Sequence, residues 1–168
     1  MDVQIYLIPG WQSDLDQAYE MIREIGPGEN GFGNSAFNIP YEGFPDYLKN
    51  LENLSLGIGL KPGYVPGTTY FLMADDRPLG IAKLRHYLND RLLEHGGHIG
   101  YCIRPTERGK GYGNTILSLT LVEARKMGIE KVMLTCNESN TPSRLVIEKN
   151  GGVLEKIKEV SCYFWINL

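Results

Sequence analysis

Residues 104–115, "RPTERGKGYGNT", set three glycines (Gly109, Gly111, Gly113) at alternate positions, with the basic side chains of Arg108 and Lys110 beside them. Each glycine costs a helix or strand about 0.5–1 kcal/mol relative to alanine, so local stability is given up here for something else. Upstream, "HIGYCIRP" (98–105) reads as a strand that stops at Pro105. Downstream, "NTILSLTLVEARKMG" carries Ile116, Leu117, Leu121, Ala124 and Met127 at helical spacing, with Gly128 as its stop. A loop between strand and helix gathers N–H groups unpaired at the helix start, backed by the positive end of the helix dipole. Such a site holds phosphate or pyrophosphate. Without Cβ atoms the main chain closes on a bulky anion, and Arg108 and Lys110 add charge.

Composition sets the frame around that loop. The 168 residues suit one domain, 1–168, and 42% hydrophobic with 22% charged residues is ordinary for a globular protein. A net charge of -3 argues against a broad nucleic-acid footprint. No apolar run approaches the ~18 residues of a membrane helix, so neither nucleic acid nor membrane is expected as a partner. "MDVQIYLIPGWQSD" has no charged n-region or small-residue cleavage site, and Cys102, Cys136 and Cys162 are an odd number in apolar runs. Both features predict a cytoplasmic protein with reduced, buried thiols. No Cys/His spacing resembles a zinc site, and no metal is expected.

The rest of the chain reads as an opening strand (3–8), then a helix whose capping box runs from Ser13 to Asp16 and which Gly26 closes. A Gly/Pro/Asn-rich stretch (26–45) has the length of a binding loop, and a second helix starts near Asp46. "TTYFLMA" and "LGIAKLRHYL" form a strand pair, continued by a "KLRHYLNDRLLEHGG" hairpin. "KVMLTC" is a strand, "NTPSRLVIEKNG" a helix with Pro142 in its first turn, and "GVLEKIKEV" and "CYFWINL" close the chain. The order is β-α-α-β-β-β-α-β-α-β-β, an α+β domain.

Two other phosphate patterns fit poorly. G-x-x-x-x-G-K-[ST] is not met, because Lys110 precedes the last glycines. A G-x-G-x-x-G match at Gly26, Gly28 and Gly31 follows a helix and opens none, and reads as loop composition. Arg108, Gly111 and Gly113 do satisfy R-x-x-G-x-G. With "IGYCIRPTERGKGYGNTILSLTLVEARKMGIEKVMLTCNESNTPSRLVIEKNGG" around it, about a third of the chain resembles the GCN5-related N-acetyltransferase (GNAT) superfamily.

That resemblance implies a mixed, mostly antiparallel sheet with a central splayed strand pair, flanked by about four helices. It implies acetyl-CoA as co-substrate and a small-molecule or peptide amine as acceptor, and it admits a homodimer. The cofactor-binding core would span 98–152, with acceptor-side elements in 11–60 and 79–97. Arg108, Gly109, Lys110, Gly111, Tyr112, Gly113 and Asn114 would wrap the pyrophosphate. Main-chain groups around Cys102 and Ile103 would pair with the pantetheine arm and donate to the oxyanion. Asn140 and Ser143 would lie near the end of that arm, although Asn140 is equally an N-cap.

Many members of the family carry a tyrosine acid seven residues after the asparagine; here that position is Ile147, which has no proton to give. His98 and Tyr101 are the catalytic candidates, His98 because its ordinary pKa suits general-base work; Glu94 and His95 are alternatives for the base. The aromatics Phe32, Phe37, Tyr41, Phe44 and Tyr47 line either an acceptor pocket or a core, and one of Arg85 and His86 faces the substrate. The vacant tyrosine position also motivates another reading, a non-catalytic acyl-CoA-binding or regulatory domain.

Overall fold

Strand and helix propensities in this chain are resolved by two-sided burial of its middle strands. In the computed structural model, which describes residues 2–168, the chain runs β1 (Ile5–Pro9), α1 (Leu15–Ile25), β2 (Gly28–Glu29), β3 (Phe32–Gly33), α2 (Phe44–Ser55), β4 (Gly67–Ala74) and β5 (Arg77–Arg85). It continues through α3 (Asp90–Glu94), β6 (Ile99–Ile103), α4 (Tyr112–Lys126), β7 (Lys131–Asn137), α5 (Thr141–Lys149), β8 (Val153–Lys158) and β9 (Ser161–Asn167). Two antiparallel sheets carry the domain, one ordered β1-β4-β5-β6 and the other β7-β9-β8, with β2 and β3 as a separate hairpin.

The central strands β4 and β5 read as apolar runs rather than alternating ones because both faces are covered. Phe71, Met73 and Ile81 point to α1 and α2, where they meet Met21, Ile22 and Phe44. Leu72, Ala82 and Leu84 point the other way, against Ile116 and Leu117 of α4. The aromatic residues of the long loop divide. Phe44 and Tyr47 pack into the core under α1, with Tyr19 edge-on to Phe44, whereas Phe32 reaches the cleft described below.

Local chemistry explains the departures from expectation. Helix α1 is capped by Asp14, whose Oδ1 accepts from the Gln17 N–H at 2.9 Å, so the Ser13 capping box is not formed. Helix α4 begins at Tyr112 rather than near Asn114, because Gly111, at φ +86°, is its N-cap in the left-handed region. The supposed 83–97 hairpin is the end of β5 followed by α3, a fifth helix capped by Asn89 Oδ1 on the Leu92 N–H. The 26–45 stretch contains the β2–β3 hairpin, which buried Asn34 pins to the end of α1 by donating to the Ile22 and Gly26 carbonyls at 3.0 and 2.7 Å. Arg104, also buried, ties β6 to α1 by donating to Glu24 at 2.5 Å and to the Pro78 carbonyl at 3.0 Å. Among the described residues no helix is long and apolar enough to cross a membrane.

Candidate active site

The two sheets touch at one point and then part. The Met133 carbonyl accepts from the His98 N–H at 2.8 Å, while the Met133 N–H donates to His98 Nδ1 at 2.9 Å. The His98 carbonyl accepts from the Arg85 N–H, also at 2.8 Å, so this one residue bonds both sheets. Gly97 permits the approach, since a Cβ there would lie 2.4 Å from the Met133 carbonyl oxygen. Beyond this vertex β6 and β7 share no ladder, and a cleft of about 860 Å³ opens between them.

Strand register determines which main-chain groups face that cleft. In an antiparallel pair, alternate residues exchange hydrogen bonds. The bonds Arg85 N–H to the His98 carbonyl and Arg104 N–H to the Leu79 carbonyl place 100, 102 and 104 on the β5 side, while His98 at the vertex gives its carbonyl to β5 and its N–H to β7. Ile99, Tyr101 and Ile103 therefore turn their N–H and C=O groups to the opening. Across it, the bond from Leu168 N–H to the Glu130 carbonyl sets the same alternation in β7, leaving Thr135 and Asn137 facing β6. The expectation for Cys102 is corrected: its amide and carbonyl are engaged with β5, and only its side chain borders the cleft. Burial pushes that thiol up to about 12, and the Cys136 thiol up to about 11, so both stay protonated near neutral pH.

At the wide end lies the glycine loop. Among the described residues, the N–H groups of 109–114 donate to no main-chain acceptor, and Gly109 and Gly111 sit at φ +75° and +86°. Residues 107–109 and 111–114 line the cleft; Lys110 is not part of the lining and pairs with Glu107 at 2.9 Å. Gly113 faces Val146 of α5, and the Asn114 Oδ1 accepts from Asn150 at 2.8 Å, joining the same two helices. Asn140 caps α5, its Oδ1 accepting from the Ser143 N–H at 3.3 Å, and both residues border the cleft.

The structure separates the two catalytic candidates. His98 is buried and lies outside the cleft lining, with Nδ1 occupied by the Met133 amide. Burial first, then the Arg85 charge, depress its pKa to about 4. His98 is corrected to a neutral positioning residue at the vertex. Tyr101 does face the cleft, its hydroxyl 3.2 Å from Ser143 Oγ, and burial raises its pKa, keeping the phenol protonated. Ile147 is in the core. Of the alternatives for the base, Glu94 is paired with Lys158 at 3.0 Å, whereas His95 is exposed on the lining. Arg85 faces the cleft while His86 Nε2 turns to Thr68 Oγ1 at 2.8 Å.

Sequence reasoning missed a further contact. Glu29, on the β2–β3 hairpin, forms an ion pair with Arg108, whose Nε also donates to the Ile103 carbonyl at 2.9 Å. A carboxylate thus stands at the mouth of the glycine loop. Only the glycine-rich composition of 26–33 hinted at a segment there. A competing acid in an exposed pair is worth roughly 0.2–1 kcal/mol. Glu29→Gln should accordingly tighten a diphosphate ligand about 2- to 5-fold, read by titration calorimetry with coenzyme A; an unchanged or weaker affinity would show that Glu29 does not compete.

Splayed strand edges, a cluster of free amides at a helix start and a protonated phenol between them define an acyl-CoA type of cleft. The comparisons agree: residues 2–153 match the model of the acetyltransferase (GNAT) domain, and the chain belongs to that family. Similar solved structures include a GNAT acetyltransferase from Streptococcus pneumoniae, with 12% identity, 98% of this chain and 100% of that one covered, and a TM-score of 0.65. Ribosomal-protein-S5-alanine acetyltransferase from Vibrio fischeri is 18% identical over 99% of this chain and 93% of its own, with a TM-score of 0.67. The Campylobacter jejuni N-acetyltransferase PseH, solved with acetyl coenzyme A, is 12% identical over 98% and 99%, with a TM-score of 0.64. No curated protein matches the chain.

Proposed function

We propose that this acetyltransferase moves an acetyl group from acetyl-CoA to the primary amine of a small molecule or peptide, by direct attack with both substrates bound. The observation that carries the reading is the continuity of one cleft from the free amides of 109–114 to the vertex at His98. The loop amides and Arg108 suit the diphosphate. The outward main-chain groups of Tyr101 and the Ile103 N–H on one side, and those of Thr135 on the other, suit an extended pantetheine arm laid between the strands.

A free alkylamine is overwhelmingly protonated at pH 7, since its pKa is about 10.4. It must lose a proton before attack, and His95 is the ring base on the cleft wall. Acetyl-CoA supplies the acyl group: the amine nitrogen bonds to the carbonyl carbon as the carbon–sulfur bond breaks. The outward N–H groups of Tyr101 and Ile103 lie where the carbonyl oxygen gains charge. Tyr101 is the proton donor to the departing thiolate, a phenol brought from β6 onto α5 at Ser143 rather than carried by α5 itself. Water then reprotonates it.

Elements 29–33 and 83–96 supply the acceptor side, and residues 98–152 the cofactor side. Peptide amines fall within the acceptor class, as the name of the Vibrio fischeri enzyme illustrates. A cytoplasmic setting is supported by the odd number of cysteines, all in apolar runs that suit reduced, packed thiols. Micromolar acetyl-CoA should raise the melting temperature, and free thiol should appear when a suitable amine is added. Absence of a thermal shift at millimolar acetyl-CoA would overturn the reading. Tight binding with no thiol released by any amine would instead support a non-catalytic CoA-binding domain.

A further inference from the structure

On the face of β5 turned toward the acceptor side, two cations stand without a carboxylate. Lys83 and Arg85 are two residues apart on one strand, so their side chains share a face, and both border the cleft beside Gly100 and the vertex. Lys83 Nζ donates to the Gly33 carbonyl at 2.8 Å and sits 4.7 Å above the Phe32 ring. The Arg85 guanidinium lies over Gly96 and donates through one terminal nitrogen to the Gly96 and Gly97 carbonyls, at 3.3 and 3.2 Å. Its remaining N–H groups have no protein acceptor among the described residues, and neither side chain enters a salt bridge. Each acid on the cleft lining is already taken, Glu94 by Lys158, Glu29 by Arg108, and Glu107 by Arg77 and Lys110.

Half-buried cations with no counter-charge are costly. Burial lowers the pKa of both, with the Arg85 charge adding to it at Lys83 and the Arg91 charge adding to it at Arg85, and no protein acid relieves the cost. A planar guanidinium with free donors is the geometry that takes a carboxylate or phosphate. Resting on the acetyltransferase reading, we infer that the acceptor is an amine that also carries an oxyacid group, carboxylate or phosphate, held by Arg85 and Lys83 with its amino group turned to the thioester. The transfer balances as before: nitrogen–carbonyl bond formed, carbon–sulfur bond broken, amine proton released to the solvent. The acid group takes no part in bond making.

The test measures thiol release from acetyl-CoA with matched amines. Each of the twenty amino acids is set against its amide or decarboxylated amine, phosphoethanolamine against ethanolamine, and glucosamine 6-phosphate against glucosamine. Peptides with an acidic second residue are set against neutral ones. In the pairs that react, kcat/KM should favour the acid-bearing member by roughly 30- to 1000-fold, the span expected for truncating one partner of a desolvated charge pair. Carboxylate and phosphate arms report which oxyacid it is. Arg85→Gln should erase that preference while the acetyl-CoA dissociation constant stays unchanged, and Lys83→Met should reduce it. Equal or better turnover of the neutral partners, a preference that survives Arg85→Gln, or no release with any acid-bearing amine while acetyl-CoA binds would each overturn the inference. Loss of acetyl-CoA binding to the unmodified protein would instead overturn the reading beneath it.

Discussion

Arg108→Glu should weaken acetyl-CoA binding by about 2–4 kcal/mol, a 30- to 1000-fold rise in dissociation constant, the cost of reversing a charge that faces a bound one. Arg108 opens the glycine loop, and its Nε is anchored on the Ile103 carbonyl, so its charge is held at the mouth of the cleft rather than loose in solvent. Glutamate there would set a carboxylate beside both the diphosphate and Glu29. The fold should tolerate the change, because Arg108 is exposed and its pair with Glu29 is a surface one. Calorimetric titration with coenzyme A, paired with the melting temperature of the free protein, separates the two effects. An unaltered affinity would mean that the diphosphate lies elsewhere.

His98→Ala should cost about 2–4 kcal/mol of stability. It leaves the buried Met133 N–H without an acceptor, worth about 1–3 kcal/mol, and opens a void where the ring stood. The same residue makes the fold acid-sensitive. The unfolded histidine titrates near 6.5 and the folded one near 4. As pH falls below 6.5 the unfolded chain gains a proton that the folded one refuses, so stability declines until about pH 4 and no further from this group. Integrated over that window the loss is about 3 kcal/mol. His98→Asn, with an amide oxygen in the place of Nδ1, keeps an acceptor that does not titrate. Its stability, measured by urea unfolding between pH 7 and 4, should fall less steeply than that of the parent. Parallel slopes would show that His98 is not the group responsible.

How much of the site was legible differs residue by residue. The loop at 109–113 is a local feature: glycine spacing, a strand ending at Pro105 and a helical stripe are all encoded within the thirty residues 98–127. The Asn140 cap is equally local, its partner being three residues away. His98 was misread because its partner, Met133, is 35 residues on; a histidine before a strand looks the same in sequence whether it faces a substrate or plugs a junction. Cys102 was misread for a related reason. Which side of a strand carries its free amides depends on register with β5, and a shift of one residue exchanges the two sets.

The charge pattern of the cleft was hidden in the same way. Glu29 meets Arg108 from 79 positions away in sequence, and the partnerless state of Lys83 and Arg85 is a statement about every other acid in the molecule. By itself the sequence determined an α+β domain with a glycine-rich loop at the start of its longest helix, because spacing, capping and glycine conformation act over a few residues. Only the tertiary structure decided that β6 and β7 part at His98, which main-chain groups that parting leaves open, and which charges face the gap. Those depend on long-range pairing and burial, where the free energy of a polar group is set by whatever the rest of the chain brings beside it.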